Sequence, residues 1–228
     1  MNSLLIFSLF VTISATPPKG HQPPSPPDKE VVFKKLSEAI EFDALFKSVQ
    51  PGSKETREFI EAWEQMSDST HYLEEARRNQ TIPPDYLRSL MGDVAALNKV
   101  KTGGLTISQK LHLCQIVARD LKIKANYTKR QIENRCPFCL VKVIAHPKDR
   151  NNNDVPGVEI CYLALSSDFG GCFTQFSNPT TTEDLAPGEY NFWTRVRNPE
   201  GQYSDGPRRD LTIGEKDPEV IDLRVPDK

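Results

Sequence analysis

Cysteine is the side chain whose spacing in this 228-residue chain bears most directly on chemistry, and the set is Cys114, Cys136, Cys139, Cys161 and Cys172. Cys136-Pro137-Phe138-Cys139 is a C-x-x-C pair, which closes a small disulfide and becomes a redox centre when a helix N-terminus lowers the pKa of its first thiol. Its spelling is similar to glutaredoxin-type sites. Those sites follow a strand and open a helix, whereas here a helical pattern precedes and a strand-like run, residues 140–146 (LVKVIAH), follows. A structural disulfide or thiol pair at a hinge is therefore the leading reading, and a thiol-disulfide oxidoreductase using Cys136 and Cys139 is the alternative. Zinc would need four ligands. The chain has no second C-x-x-C, so Cys161 and Cys172, with His146, would have to complete the set. No metal and no other cofactor is expected.

Cys161 and Cys172 sit on strand-like runs flanking a loop at 165–171, and a bridge across that hairpin is expected if the register brings them opposite. Cys114 lies on an apolar helical stripe and reads as a buried free thiol. His21, His71, His112 and His146 are scattered, and no serine or cysteine has a neighbouring base by spacing, so no catalytic residue is assigned. Residues 149–154 (DRNNND) offer oxygen ligands to Ca²⁺ but lack the glycine and distal glutamate of an EF-hand loop. They read as a polar hairpin turn. Asn79-Gln80-Thr81 and Asn126-Tyr127-Thr128 match the N-glycosylation acceptor pattern.

Alternation along residues 189–197 (EYNFWTRVR) puts Tyr190, Phe192, Thr194 and Val196 on one face and Trp193, Arg195 and Arg197 on the other. With the first set inward, Trp193 points outward beside Arg195, a combination enriched at binding hot spots. These two are the partner-binding candidates. Packing of the helical half over Trp193 is the other outcome the pattern allows.

The elements that must position these residues fall into two regimes. Residues 29–135 show apolar positions at helical intervals: Val32, Leu36, Ala39 and Ile40, then after a one-step shift Phe42, Leu45, Phe46 and Val49, with Pro51-Gly52 ending that element. Ser53 is positioned to cap a second helix with the face Phe59, Ile60, Trp63 and Met66. A short third helix is expected from His71 to Arg78. Pro84 opens a fourth that runs to Gly103-Gly104, and a fifth covers Ser108 to Lys124. Thr128-Lys129-Arg130-Gln131 has the T-x-x-Q form of a capping box and predicts a brief sixth helix. From residue 136 to 228 the pattern becomes short β-rich runs at 140–146, 158–164, 172–177, 189–197, 208–213 and 219–225, separated by Gly, Pro, Asn and Asp. The expected fold class is α+β in two domains, an all-α N-terminal helical domain (29–135) followed by an antiparallel β-sandwich (136–228) of Ig-like or transthyretin-like kind.

Within the second regime, residues 185–190 (LAPGEY) resemble the L-x-P-G-x-Y turn of carboxypeptidase regulatory-like modules, which are transthyretin-like (prealbumin-like) sandwiches. Residues 154–160 (DVPGVEI) resemble their second strand, and 220–225 (VIDLRV) the closing strand, so the resemblance covers about residues 138–226. It implies an accessory module that assists folding, spacing or attachment and carries no catalytic residues of its own. The helical half resembles no known family.

Residues 4–13 (LLIFSLFVTI) form an apolar core closed by Ser14, Ala15 and Thr16, the proportion of a secretory signal peptide over residues 1–15. Residues 16–28 hold six prolines and read as an extended linker. With 29 Lys plus Arg against 31 Asp plus Glu, the net charge of −2 argues against nucleic acid as a partner, and no apolar run is long enough for a membrane span. Residues 119–150 carry nine basic side chains against three acidic ones, a local excess of +6 expected to dock on the acidic stretch from Glu55 to Glu64 or to face solvent. The functional expectation is an exported, non-catalytic protein, secreted or periplasmic, whose sandwich binds or positions a protein or glycan. The redox enzyme and a purely structural or assembly role are the alternatives.

Overall fold

α1 (Lys29–Ala39) begins where the Asp28 carboxylate accepts from the backbone N–H groups of Glu30 and Val31, at 2.8 and 3.2 Å. The computed structural model describes residues 27–132, 136–166, 170–174, 181–198 and 200–226, so the expected signal peptide and nearly all of the Pro-rich linker lie outside the described residues. The one-step shift in the apolar pattern is a true break. The chain leaves helical geometry at Ile40 and Glu41 and restarts as α2 (Phe42–Val49), giving two helices where one element is expected. The carbonyl of Ile40 freed at that break accepts the Trp63 indole N–H at 2.8 Å. A phase slip costs a helix its single buried face, and breaking it lets both faces reach the core.

Two expected helix boundaries do not exist. α3 (Glu55–Ala76) runs through the polar stretch after Met66, because Ser69 and Thr70 are small enough to be buried against neighbours and Leu73 resumes the stripe. α4 (Pro84–Thr102) starts at Pro84 and stops at Gly103 as expected. α5 (Ile107–Gln131) absorbs the expected sixth helix. A T-x-x-Q capping box is present, but at its other occurrence. Thr106 and Gln109 exchange side-chain and backbone bonds at the start of α5, whereas Thr128 is buried in the last turn of the same helix and its hydroxyl bonds the Tyr86 hydroxyl at 3.1 Å.

Among the described residues eight strands follow: β1 (Val141–Lys148), β2 (Glu159–Ala164), β3 (Gly170–Thr174), β4 (Thr181–Leu185), β5 (Gly188–Arg197), β6 (Tyr203–Asp205), β7 (Arg209–Ile213) and β8 (Glu219–Arg224). β4 and β6 are too polar or too short to carry an alternation, and the run expected at 172–177 begins earlier, at Gly170. One sheet has the order β4-β1-β8 and the other β3-β2-β5-β6, with β7 also on β5. The pairing is antiparallel except for β1 with β8, which is parallel, a correction to the all-antiparallel expectation. Val141, Val143, Leu185, Ile221 and Leu223 of the first sheet share one apolar cluster with Ile160, Phe173, Tyr190, Phe192 and Ile213 of the second.

One edge of β5 is divided between two partners. β7 pairs with residues 188–192 and β6 with 195–197, and the changeover comes at Gly206, whose N–H donates to the Thr194 carbonyl at 2.8 Å. A Cβ there would lie 2.2 Å from Thr194 Oγ1 and 2.6 Å from the Arg224 carbonyl oxygen, so only glycine lets the chain cross so close.

The helical half docks on the strands through a buried ion cluster. Lys124 on α5 is wholly buried, with its ammonium 3.1 Å from Asp93 of α4 and in contact with Asp120 one turn back on its own helix. Asp120 reaches across to accept the Glu189 N–H at 2.8 Å, and a Cβ on Gly188 would sit 2.5 Å from the same carboxylate oxygen. The glycine of the L-x-P-G-x-Y turn therefore makes room for a helix carboxylate. Tyr127 of α5 belongs to the sheet cluster, while Phe138 and Ala186 from the strand half join the helical one. Arg119 pairs with Glu189 at 3.2 Å and Arg130 donates to the Gly214 and Glu215 carbonyls, so the basic stretch bonds to the strands, while Arg119 also lines a groove with Glu58 and Glu61 of α3.

Burial raises the Asp93 carboxyl to about 8; the Lys124 ammonium opposes that shift and Asp120 adds to it. Burial works against the Lys124 charge as well, yet the Asp120 carboxylate, foremost, outweighs it and holds the lysine above its ordinary value. Asp93 thus keeps its proton in the fold and loses it in the unfolded chain from about pH 4. The folded state binds more protons across that interval, so this group's contribution to stability falls as pH rises from about 4 to about 8. Thermal unfolding followed by circular dichroism between those limits should show this slope, and Asp93→Asn should flatten it. Lys124→Met, which strands two buried carboxyls, should cost about 3–5 kcal/mol in urea titration.

Candidate functional site

Outward of the strand core, the β2, β3 and β5 registers bring three predicted residues into one row. Cys172 stands opposite Cys161, and Cys161 opposite Trp193. Directly opposed residues share a face. Cys161 and Cys172 form the expected hairpin disulfide, with Cα atoms 4.0 Å apart, and the indole of Trp193 lies beside it.

Tyr190, Phe192 and Thr194 are buried as the alternation requires, and Trp193 and Arg195 share the outer face. Trp193 is nevertheless only 8% exposed. The cover comes from Arg208, whose guanidinium carbon stands 4.5 Å from the ring centroid, a cation–π distance, and not from the helical half. Arg195 makes a two-point contact with Asp205, at 2.7 and 3.3 Å, directly across the β5–β6 register. Asp205 is held below the usual carboxylate range by that Arg195 bond. Arg195 and Arg197 lie 5.5 and 5.8 Å from the ring of Tyr203, which is 53% exposed.

Beyond Arg208 the surface opens into a cleft of about 380 Å³ lined by Lys148, Asn152, Pro207, Arg208, Arg209, Asp222, Leu223 and Arg224. Four cations from three strands and a loop end meet one carboxylate there. Backbone contacts hold them: Arg209 donates to the Asp222 carbonyl at 3.2 Å and Arg224 to the Asp149 carbonyl. Lys148 is paired with Asp154 at 2.8 Å. Lys148 and Arg224 are adjacent because β1 and β8 run parallel in that register. The Arg208-Arg209 doublet after Gly206-Pro207 is the local signal of this site in the sequence; the partners on β1 and β8 have none.

The other predicted sites resolve without a reacting centre being assembled. Cys136 and Cys139 are joined as a disulfide in a turn closed by the Cys139 N–H to the Cys136 carbonyl at 3.1 Å. The pair follows the C-terminal end of α5, where the helix dipole disfavours a thiolate. With all four of these sulfurs in disulfides, the zinc reading loses its donors, including the grouping of Glu159 with Cys161 and Cys172. Burial pushes the Cys114 thiol up to about 12, which leaves it a packed, unreactive side chain. The Asp149 carboxylate accepts from the N–H groups of Asn151 and Asn153, both at 2.8 Å, and Asp154 bonds Lys148, so residues 149–154 form the polar hairpin turn. Asn79 and Asn126 are exposed. Among the described residues no helix is long and apolar enough to cross a membrane.

No family model matches the chain, and no curated protein matches it. Among solved structures, it is similar to a variant of the major pilin subunit of Bacillus cereus at 13% identity, with a TM-score of 0.25, over 38% of this chain and 29% of that one. That overlap is too slight to bear on fold or function.

The Cys161–Cys172 bridge closes a loop with a sequence separation of 11. Loop-closure entropy for such a ring corresponds to about 3 kcal/mol. The double replacement Cys161→Ser with Cys172→Ser should lower unfolding stability by about that amount in urea, a loss too large to come from the exposed Cys172 side chain alone.

Proposed function

We propose that the chain is an exported, non-catalytic protein in which a helical domain (29–135) carries a β-sandwich module (136–228) that binds or positions a protein or glycan partner. The two sheets sharing one apolar cluster, and the L-x-P-G-x-Y turn set against Asp120, support a sandwich of transthyretin-like kind. The two disulfides support a secreted or periplasmic location, since such bonds persist in oxidising compartments. The observation that carries the binding reading is the arginine-rich outer face of β5 and β6, where Arg195 and Arg197 flank the exposed Tyr203 and continue through Arg208 into the cleft. Arginine and tyrosine are the residues most enriched where partners dock. Trp193 serves this surface as the base on which Arg208 rests, and Arg195 with Tyr203 makes the contact.

The redox alternative draws less support, because the C-x-x-C pair follows a helix C-terminus and its Phe138 is buried in the helical core against Tyr86. Expressed from Met1 in a secreting host, the chain should leave the cell trimmed near Ala15, as read by intact mass. The secreted product, applied to arrays of extracellular proteins and glycans, should bind a ligand saturably. Arg195→Ala with Tyr203→Ala should weaken that binding about tenfold or more, whereas Cys136→Ser with Cys139→Ser should leave it unchanged. Retention inside the cell, or turnover of disulfide substrates that the cysteine variant abolishes, would overturn the reading.

A further inference from the structure

The cleft beside Trp193 gathers more cations than carboxylates, and Asp205 and Asp149, which feel Arg208 and Arg224, lie outside its lining. Lys148, Arg208, Arg209 and Arg224 face one another across about 380 Å³ with Asp222 as the one acidic lining residue. Lys148 is neutralised by Asp154, but Arg208, Arg209 and Arg224 are steered by an aromatic ring and by backbone carbonyls, and none of the three forms an ion pair within 4 Å among the described residues. Like charges repel even in water, so gathering them in a chain of net charge −2 is unfavourable until an anion arrives. The scaffold around them is rigid. Gly206 is locked between Thr194 and Arg224, and the Thr194 hydroxyl donates to the Arg224 carbonyl at 2.6 Å, fixing the two arginine-bearing segments against each other.

We infer that this cleft is a binding subsite for an acidic polysaccharide, with carboxylate or sulfate groups held by the guanidiniums of Arg208, Arg209 and Arg224. Three features of the lining select that class. Guanidinium edges match planar or tetrahedral oxyanions with paired N–H bonds, which lysine does not. The cleft offers a peptide little apolar grip, since Leu223 is 2% exposed and Trp193 is already covered, which leaves Pro207 as the exposed apolar side chain of the lining. The Asp222 carboxylate and the Asn152 amide suit sugar hydroxyls, while a ligand built of anionic groups alone would meet repulsion from Asp222. Continuity of Arg208 with the face of Arg195, Arg197 and Tyr203 gives a chain-like ligand a path beyond the cleft.

This inference rests on the binding reading above and narrows its ligand. The test is titration calorimetry of the full secreted chain against a polyuronate, a heparin-type sulfated polysaccharide, a neutral glucan and poly-glutamate, at low and moderate salt. Binding is expected for the polyuronate or the sulfated polymer, and which of them binds identifies the oxyanion; it should weaken as salt rises and be absent for the glucan. Arg208→Glu with Arg224→Glu should reduce it more than tenfold, whereas Arg57→Glu with Arg78→Glu, the same charge change at exposed positions on α3 and in the turn after it, should not. Asp222→Asn, which removes a repulsive charge while keeping an amide for sugar hydroxyls, should strengthen poly-glutamate more than the polysaccharide. Equal binding of poly-glutamate by the unaltered protein, indifference to the Arg208 and Arg224 changes, or no binding to either acidic polymer would overturn the inference. An array ligand that depends on Arg195 and Tyr203 but survives the cleft variants would leave the binding reading standing while this one fails.

Discussion

A lysine taken wholly out of water is tolerable only when carboxylates meet it, and Lys124 is placed where that requirement joins the two halves of the molecule. Asp93 brings α4 to it, Asp120 comes from its own helix, and the second oxygen of Asp120 is committed to the Glu189 N–H at the start of β5. β5 is the strand on which the second sheet is organised, pairing with β2, β6 and β7. One buried charge thus sets where the central strand begins relative to the helices. Replacing such a cluster by hydrocarbon is often neutral in stability, so its value here lies in specifying a single docking geometry. Gly188 belongs to the same constraint, because a side chain at that position would occupy the space of the carboxylate.

From that fixed start, the alternation of β5 distributes chemistry without further instruction. Tyr190, Phe192 and Thr194 go to the interior, and the Tyr190 hydroxyl finds the Ala186 carbonyl at 2.8 Å. Trp193 and Arg195 go outward, beside the disulfide and beside Asp205. The split edge of β5 then turns the chain at Gly206 and delivers Arg208 onto the indole. Trp193 is thereby covered, and Tyr203 is the exposed aromatic of this face. Arg195 is held by its ion pair with Asp205, whereas a ring contact positions Arg208 and backbone carbonyls position Arg209 and Arg224.

The disulfides have different mechanical roles. Cys161–Cys172 ties an edge strand to the sheet interior, and Cys136–Cys139 tightens the turn that leads into β1. Phe138 between the latter pair points back into the helical core against Tyr86, at a centroid distance of 5.2 Å. The junction is therefore a packed corner, and its cysteines hold the aromatic plug in place.

What the sequence by itself determined is what short-range physics encodes. The change from helical to alternating periodicity near Cys136, the starts at Pro84 and stops at Gly103, the inward set Tyr190, Phe192 and Thr194, and the Cys161–Cys172 hairpin are all local patterns in which a few neighbouring residues decide the outcome. The tertiary structure alone decided matters in which two local solutions are equally good or the partners are far apart. Thr106 and Thr128 both spell a capping box, and only burial of Thr128 against Tyr86 makes the second one the last turn of α5. The polar segment after Met66 reads as a break until packing shows room for Ser69 and Thr70. The parallel pairing of β1 with β8, the reach of Asp120 to Glu189, and the meeting of Lys148 with Arg208, Arg209 and Arg224 each join residues tens of positions apart. Such contacts are set by the closure of the whole chain around its cores, and no window of sequence contains the competing alternatives that closure rejects.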